Sequence, residues 1–283
     1  MIMRLVRKLN RGSTALARSM GSLKLAHEPE LLPPVELMRT EGIDVLEEWF
    51  RWAEEWSMLL RIYGRIRRES AVLEIGCGLG RIAFPLRYVL SARGTYDGFE
   101  ICEPKIRFLN EAFAPRHPNF HFKWADIKNT WYNPKGSLDA SSYTFEYPDE
   151  IFDVVFAASV FTHALPGVTA RYFKEIRRVM RPDGRAVLSF FLLDNYERGR
   201  QRPLGFAKNI FDFDHAYGEF GDRFAISNPR NPEEMTAYRL DFLREMAADA
   251  DLELLEEPLP GLWSAANPTW VGAQDVLVLG RQS

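Results

Sequence analysis

Val72-Leu73-Glu74-Ile75-Gly76-Cys77-Gly78-Leu79-Gly80-Arg81 is the stretch that decides the fold of this 283-residue chain. Ala71 to Ile75 is a short apolar run with an inserted acid, the pattern of a buried parallel strand. Leu79 to Leu90 follows with helix-like apolar spacing at Ile82, Ala83, Leu86, Tyr88, Val89 and Leu90. Gly76, Gly78 and Gly80 therefore fall in a strand-to-helix turn. Glycine there can take positive φ and has no Cβ to hold a ligand off, and the free amides at a helix start attract anionic groups. Cys77 reads as a small residue filling the loop. The dinucleotide fingerprint G-x-G-x-x-G would need a third glycine where Arg81 stands. The spacing present, G-x-G-x-G, disfavours a pyrophosphate while still describing a cradle for a nucleoside-bearing cofactor.

Further segments follow in order. Gly94 to Ile101 reads as a second strand ending on Glu100, about 20 residues past the glycines, the usual reach to an acid that accepts from both hydroxyls of a ribose. Asn119 to Ala125 alternates into a third strand closed by Asp126. Tyr147 to Val160 and Arg177 to Phe191 come next. With Glu74 two residues before the first glycine, this succession over residues 70–193 resembles the class I S-adenosylmethionine-dependent methyltransferases, of the type 11/25-like methyltransferase-domain group. The resemblance implies an α/β fold: a Rossmann-like, seven-stranded, mostly parallel sheet with one antiparallel strand and helices on both faces. Tyr147 to Val160 would carry the fourth strand, Arg177 to Phe191 a helix, turn and fifth strand, and Leu252 to Leu255 with Val271 to Gly280 the last hairpin. It also implies S-adenosylmethionine as cofactor, held by Glu74, Gly76, Cys77, Gly78, Gly80, Glu100, Ile101, Asp126, Ile127 and Ser159. Asp126 and Ile127 would meet the adenine, and Ser159 with the glycine loop the methionine portion.

Composition narrows the partners. The chain is 46% hydrophobic and 27% charged, as for a globular protein with a large core. A formal net charge of -3 supplies no basic footprint for nucleic acid. Two cysteines, Cys77 and Cys102, are too few for a disulfide framework or a four-cysteine zinc site, so a cytoplasmic setting is expected. No apolar run reaches the roughly 18 residues of a membrane span. Residues 1–26 nevertheless carry Arg4, Arg7, Lys8, Arg11, Arg18 and Lys24 without an acid. A disordered basic tail, an amphipathic segment on an anionic membrane surface and a transit peptide all fit that pattern. The oligomeric state is not legible.

The chain divides into a basic tail (1–32), a helical cap (33–69) and a methyltransferase domain (70–283) with a lid insertion at about 194–234. Asp44 is a plausible N-cap for a cap helix whose Leu46, Trp49, Trp52, Ala53, Trp56, Leu59, Leu60 and Tyr63 recur at helical spacing. That face packs onto the domain or brings Trp56 to the substrate. The insertion is too long for an ordinary connection and carries many aromatics, among them Tyr196 and Tyr217, which makes it a substrate lid or a small core of its own. Beyond it, a helix is expected from Pro232 through Ala250.

The implied reaction is in-line methyl transfer, which needs alignment, exclusion of water and, for a hydroxyl acceptor, a base. His163 is the first candidate base because "SVFTHALP" sets it just past the fourth strand, at the carboxyl edge where ligands of open α/β sheets sit. His215, in the insertion, is the second. Ala158-Ser159-Val160-Phe161 lacks the group that would grip an amine, and acids suited to Mg²⁺ are not paired after the strands, so no metal is expected. A small-molecule acceptor and O-methylation are the preferred reading. A catalytically silent S-adenosylmethionine-binding or scaffold protein, or another transferase using the same cofactor, stays open.

Overall fold

The computed structural model describes residues 28–200 and 211–282. The tail read over residues 1–26 lies outside them. The seven main strands are β1 (Ala71–Ile75), β2 (Thr95–Glu100), β3 (Phe120–Trp124), β4 (Phe152–Ala157), β5 (Met180–Phe190), β6 (Leu252–Leu254) and β7 (Asp275–Arg281). They form one sheet in the order β6-β7-β5-β4-β1-β2-β3. β1 to β5 run parallel, and β7 runs opposite to both of its neighbours, β5 and β6. This is the expected Rossmann-like sheet with a single antiparallel strand.

Among the described residues, seven α-helices surround it: α1 (Val35–Thr40), α2 (Leu46–Ile62), α3 (Ala83–Leu86), α4 (Glu103–Ala112), α5 (Pro166–Val179), α6 (Leu193–Arg200) and α7 (Leu240–Ala248). Successive residues of a strand point to opposite faces, and here both faces are apolar because both are covered. Val72, Val154, Phe156 and Val187 join Trp49 and Leu60 of α2 and Phe84 of α3 in one core. Leu73, Val155, Ala157 and Leu188 join Phe173 and Ile176 of α5 and Leu243 of α7 in the other.

Local expectations shift where tertiary contacts win. The cap helix starts at Leu46, so its N-cap position falls on Val45, one residue past the expected Asp44, and Val45 makes no side-chain cap bond. The helix after the glycine loop is a single turn, Ala83–Leu86. Pro232 opens a 3-10 turn (Pro232–Glu234), after which Thr236–Tyr238 is a strand and the helix begins only at Leu240. That strand pairs with Phe224–Ile226, which pairs with His215–Ala216, so the insertion contains a small antiparallel sheet. Its residues Tyr196, Phe211 and Phe213 pack with Phe191 and Trp263 in a third, separate core. Among the described residues no helix is long and apolar enough to cross a membrane.

Candidate functional site

The carboxyl ends of β1, β2 and β4, the cap and the insertion enclose a cavity of about 940 Å³. At its floor the amides of Gly76 and Cys77 donate to the Phe99 carbonyl at 2.9 and 3.0 Å, which folds the glycine loop against β2. Gly76 has φ 70° and Gly78 φ 53°, the left-handed region where a side chain is strained. Space forbids one as well: a Cβ on Gly76 would lie 2.6 Å from Val160 Cγ2, and one on Gly78 would collide with the Glu41 carboxylate. Gly80 serves packing instead. It does not line the cavity, and Leu109 Cδ2 fills the space beside it.

The loop's amides are already occupied. Gly78 N–H donates to Glu100 Oε2 at 3.0 Å and Leu79 N–H to Glu41 Oε1 at 3.0 Å. Glu100, 7% exposed, also accepts from the amides of Ile101 and Cys102, both at 2.9 Å. An anionic pyrophosphate would meet carboxylates here rather than free N–H groups. Glu41 reaches in from the turn after α1 and pairs with Lys105 Nζ of α4 at 3.2 Å. Burial opposes its ionisation, yet Lys105 and Arg81 outweigh that and hold the carboxyl below the ordinary range. Burial likewise opposes the charge on Lys105, and Glu41 and Glu100 raise its pKa in spite of it.

Glu74 and Glu55 are among the further acids that line the cavity. Glu74 is buried and takes a hydrogen bond from the Tyr96 hydroxyl, and burial pushes its pKa well up. Glu55 of α2 accepts from Ala273 N–H at 3.1 Å, and burial lifts it to about 7 against the pull of that bond, Arg81 and Arg51. Arg81 lies in the same wall, with its Nε buried and without a partner among the described residues.

His163 sits in the 3-10 turn Phe161–His163 just past β4 and is 9% exposed. Its Nδ1 lies 3.2 Å from the Glu233 carbonyl, which can only accept, so Nδ1 carries the proton and Nε2 keeps its lone pair. Nε2 faces the Tyr132 hydroxyl at 3.4 Å. Desolvation lowers the imidazole pKa, opposed by bonds to the Glu233 and Glu234 carbonyls. Ser159, at φ 61°, donates from its amide to Ser189 Oγ at 2.8 Å and from its hydroxyl to Gln274 Oε1 at 3.1 Å, and it lines the cavity.

Of the residues singled out in sequence, Glu74, Gly76, Cys77, Gly78, Glu100, Ile101, Ile127, Ser159, His163 and Trp56 meet on this cavity. Asp126 does not line it. Its carboxylate is spent on Ser137 Oγ at 2.7 Å and Asn133 Nδ2 at 3.2 Å, within its own turn. His215 is exposed on a short strand of the insertion, away from the wall. Tyr196 is buried in the insertion's core with its hydroxyl donating to Asp212 at 2.8 Å, and Tyr217 lines a second, adjoining cavity of about 530 Å³. Glu41, Glu55, Arg81, Lys105, Tyr132 and Glu233 also line the cavity, and none of them was expected at the site from the sequence. Arg81, directly after the last glycine, was the one with a positional signal. Among the described residues no three His, Cys, Asp or Glu side chains are grouped to hold a metal.

Comparisons with known proteins fit this geometry. A family model described as a methyltransferase domain matches residues 48–257. Nocamycin O-methyltransferase of Saccharothrix syringae is 31% identical over 122 residues, 42% of this chain. The match spans only 36% of that relative's length. Among solved structures, the PH0226 protein from Pyrococcus horikoshii OT3 superposes with a TM-score of 0.54 at 21% identity, over 85% of this chain and 93% of its own. The CcbJ methyltransferase from Streptomyces caelestis does so with 0.51 at 19% identity, over 82% and 90%. At such identities these two speak for the fold.

Proposed function

This chain belongs to the methyltransferase-domain family, and from that premise we propose that it moves a methyl group from S-adenosylmethionine to a hydroxyl of a small molecule. The residues present fit that cofactor. A cavity rich in carboxyl groups, with its loop amides capped by Glu41 and Glu100, suits a ligand bearing cationic sulfonium and ammonium groups and repels a pyrophosphate. Glu100 retains lone pairs for ribose hydroxyls. Arg81, with an unpartnered Nε, suits a ligand carboxylate. When bound, the sulfonium supplies an electrophilic methyl group, so the protein itself needs no further electrophile.

The remaining work falls to the chain. The cap residues Glu41, Glu55 and Trp56 on one side and Phe211, Glu233 and Met235 on the other line the cavity, and on that placement they shield the reacting atoms from water once the ligands are bound. His163 takes the acceptor's proton on Nε2. The observation that carries this reading is the contact of His163 Nδ1 with the Glu233 carbonyl, which leaves Nε2 as the acceptor of the neutral imidazole in a ring that lines the cavity with the glycine loop and Glu100. The partial match to an O-methyltransferase of a small molecule supports the same acceptor class.

The test is turnover with methyl-labelled S-adenosylmethionine and fractionated hydroxylated metabolites, followed by formation of S-adenosylhomocysteine. Replacing His163 with Ala should cost on the order of 10²-fold or more in turnover, with cofactor affinity by calorimetry unchanged. Full turnover in that variant would remove the base from the mechanism.

A further inference from the structure

Tyr132 stands in a loop that no part of the sequence reading picked out, yet its hydroxyl is the polar group facing the free lone pair of His163. The O···N distance of 3.4 Å is long for a hydrogen bond between a hydroxyl and an imidazole. The two rings meet edge-on, with centroids 5.2 Å apart and planes at 87°. A closer oxygen displaces such a contact at little cost. Burial pushes the phenol up to about 12, so near neutrality it keeps its proton and is a donor.

One residue holds both partners. The Glu233 carbonyl accepts from His163 Nδ1, and the Glu233 carboxylate accepts from Asn129 Nδ2 at 3.1 Å, from Thr130 N–H at 2.7 Å and from the Thr130 hydroxyl. Asn129 Oδ1 in turn accepts from the amides of Trp131 and Tyr132 at 3.0 and 2.9 Å. The insertion is thereby fastened to the Tyr132 loop through its side chain and to the imidazole through its backbone.

We propose that Tyr132 is a catalytic residue that donates its O–H to the acceptor oxygen while His163 Nε2 takes the acceptor's proton, and that Glu233 is the positioning residue that sets the two groups on one oxygen. As the oxygen–methyl bond forms, the carbon–sulfur bond breaks and its electron pair stays on sulfur. The acceptor proton ends on Nε2, and Tyr132 keeps its own. A hydroxyl suits this pair because its oxygen has one lone pair for the donor and another for attack. A neutral amine has a single lone pair, and the Tyr132 O–H would compete for it, so the pair selects oxygen over nitrogen.

The inference rests on the proposed O-methylation at His163, and the experiment separates the two. In the full chain with S-adenosylhomocysteine present, 4-methylphenol and 4-methylaniline are titrated while the ¹⁵N signal of His163 Nε2 is followed. The phenol should move that signal and the aniline should not, and Tyr132→Phe should weaken phenol binding by about fivefold or more, the loss of one hydrogen bond of roughly 1 kcal/mol. In turnover, Tyr132→Phe and Glu233→Ala should each lower kcat by about tenfold or more, with KM for S-adenosylmethionine unchanged, while Glu233→Gln retains most of it. The double variant should be no worse than either single one, as for residues acting as a unit. An unchanged kcat in Tyr132→Phe beside a dead His163→Ala overturns the role of Tyr132 alone, whereas no Nε2 response to the phenol overturns the base and Tyr132 together. Full activity in His163→Ala overturns the base as well.

Discussion

Single side chains here act through where burial leaves their lone pairs. Glu100 spends three of its acceptor sites on the amides of Gly78, Ile101 and Cys102, which fixes the carboxylate before any ribose arrives. Glu100→Ala should weaken cofactor binding by about 1.5–3 kcal/mol, the range for a hydrogen bond to a charged group, as read by calorimetry. His163 gives a pH prediction. Its folded pKa lies below the ordinary 6.5 because desolvation disfavours the charged ring. The base is therefore active once pH exceeds the lowered value, and the rising limb of kcat against pH should sit to the acid side of 6.5. The same shift makes the unfolded chain bind more protons, so the stability His163 contributes is present above the unfolded pKa and is lost as pH falls through the folded one. Denaturant titrations of the parent and His163→Gln from neutral pH downward should converge if this is right. The positions of the glycine loop and of Glu100 were readable, the loop from its strand-to-helix turn and Glu100 from its place at the end of the next strand, about 20 residues on. Tyr132 and Glu41 were not, since nothing adjacent in sequence marks them.

Elements meet at buried polar joints that no periodicity announces. Asp275, fully buried at the start of β7, accepts from Gly261 N–H at 2.8 Å, Leu192 N–H at 3.0 Å, Asn195 Nδ2 at 2.7 Å and Trp263 Nε1 at 2.8 Å. It ties the end of β5, the helix α6 and the turn before β7 to one carboxyl group. Asp275→Ala should destabilise the protein by about 3 kcal/mol or more, because four donors lose their acceptor away from water, and the melting temperature measures it. The expected helix from Pro232 fails at this scale. Thr236 to Tyr238 gain more by pairing with Phe224 to Ile226, and by sending the Tyr238 hydroxyl to the Ala164 carbonyl at 2.6 Å, than by continuing a helical turn. The strands were legible from two patterns: β1, β4 and the end of β5 are largely apolar runs covered on both faces, and β3 alternates, with Phe120 and Phe122 buried and His121 and Lys123 exposed. The short insertion strands have no such run.

The whole molecule places one cavity between three separately built parts: the sheet edge, the cap and the insertion. A ligand that fits it stabilises the fold by mass action, by about 2.7 kcal/mol at a hundredfold excess over Kd. S-adenosylhomocysteine should therefore raise the melting temperature by several degrees, whereas NAD should leave it unmoved, since Glu41 and Glu100 cap the amides a pyrophosphate would need. Equal shifts from both would mean the capped loop does not discriminate. The sequence by itself marked the glycine loop and the strands on either side of it, because apolar patterning and the conformational freedom of glycine are local properties written in consecutive residues; the seven-stranded sheet followed from the resemblance of their succession to a known family, and its strand order from the structure. Only the tertiary structure decided that Glu41 caps the loop, that Asp126 turns away, and that Glu233 brings Tyr132 to His163. The contacts of Glu41, Tyr132 and Glu233 join residues 31 to 103 positions apart, and their partners are chosen by the packing of three cores rather than by any neighbour along the chain.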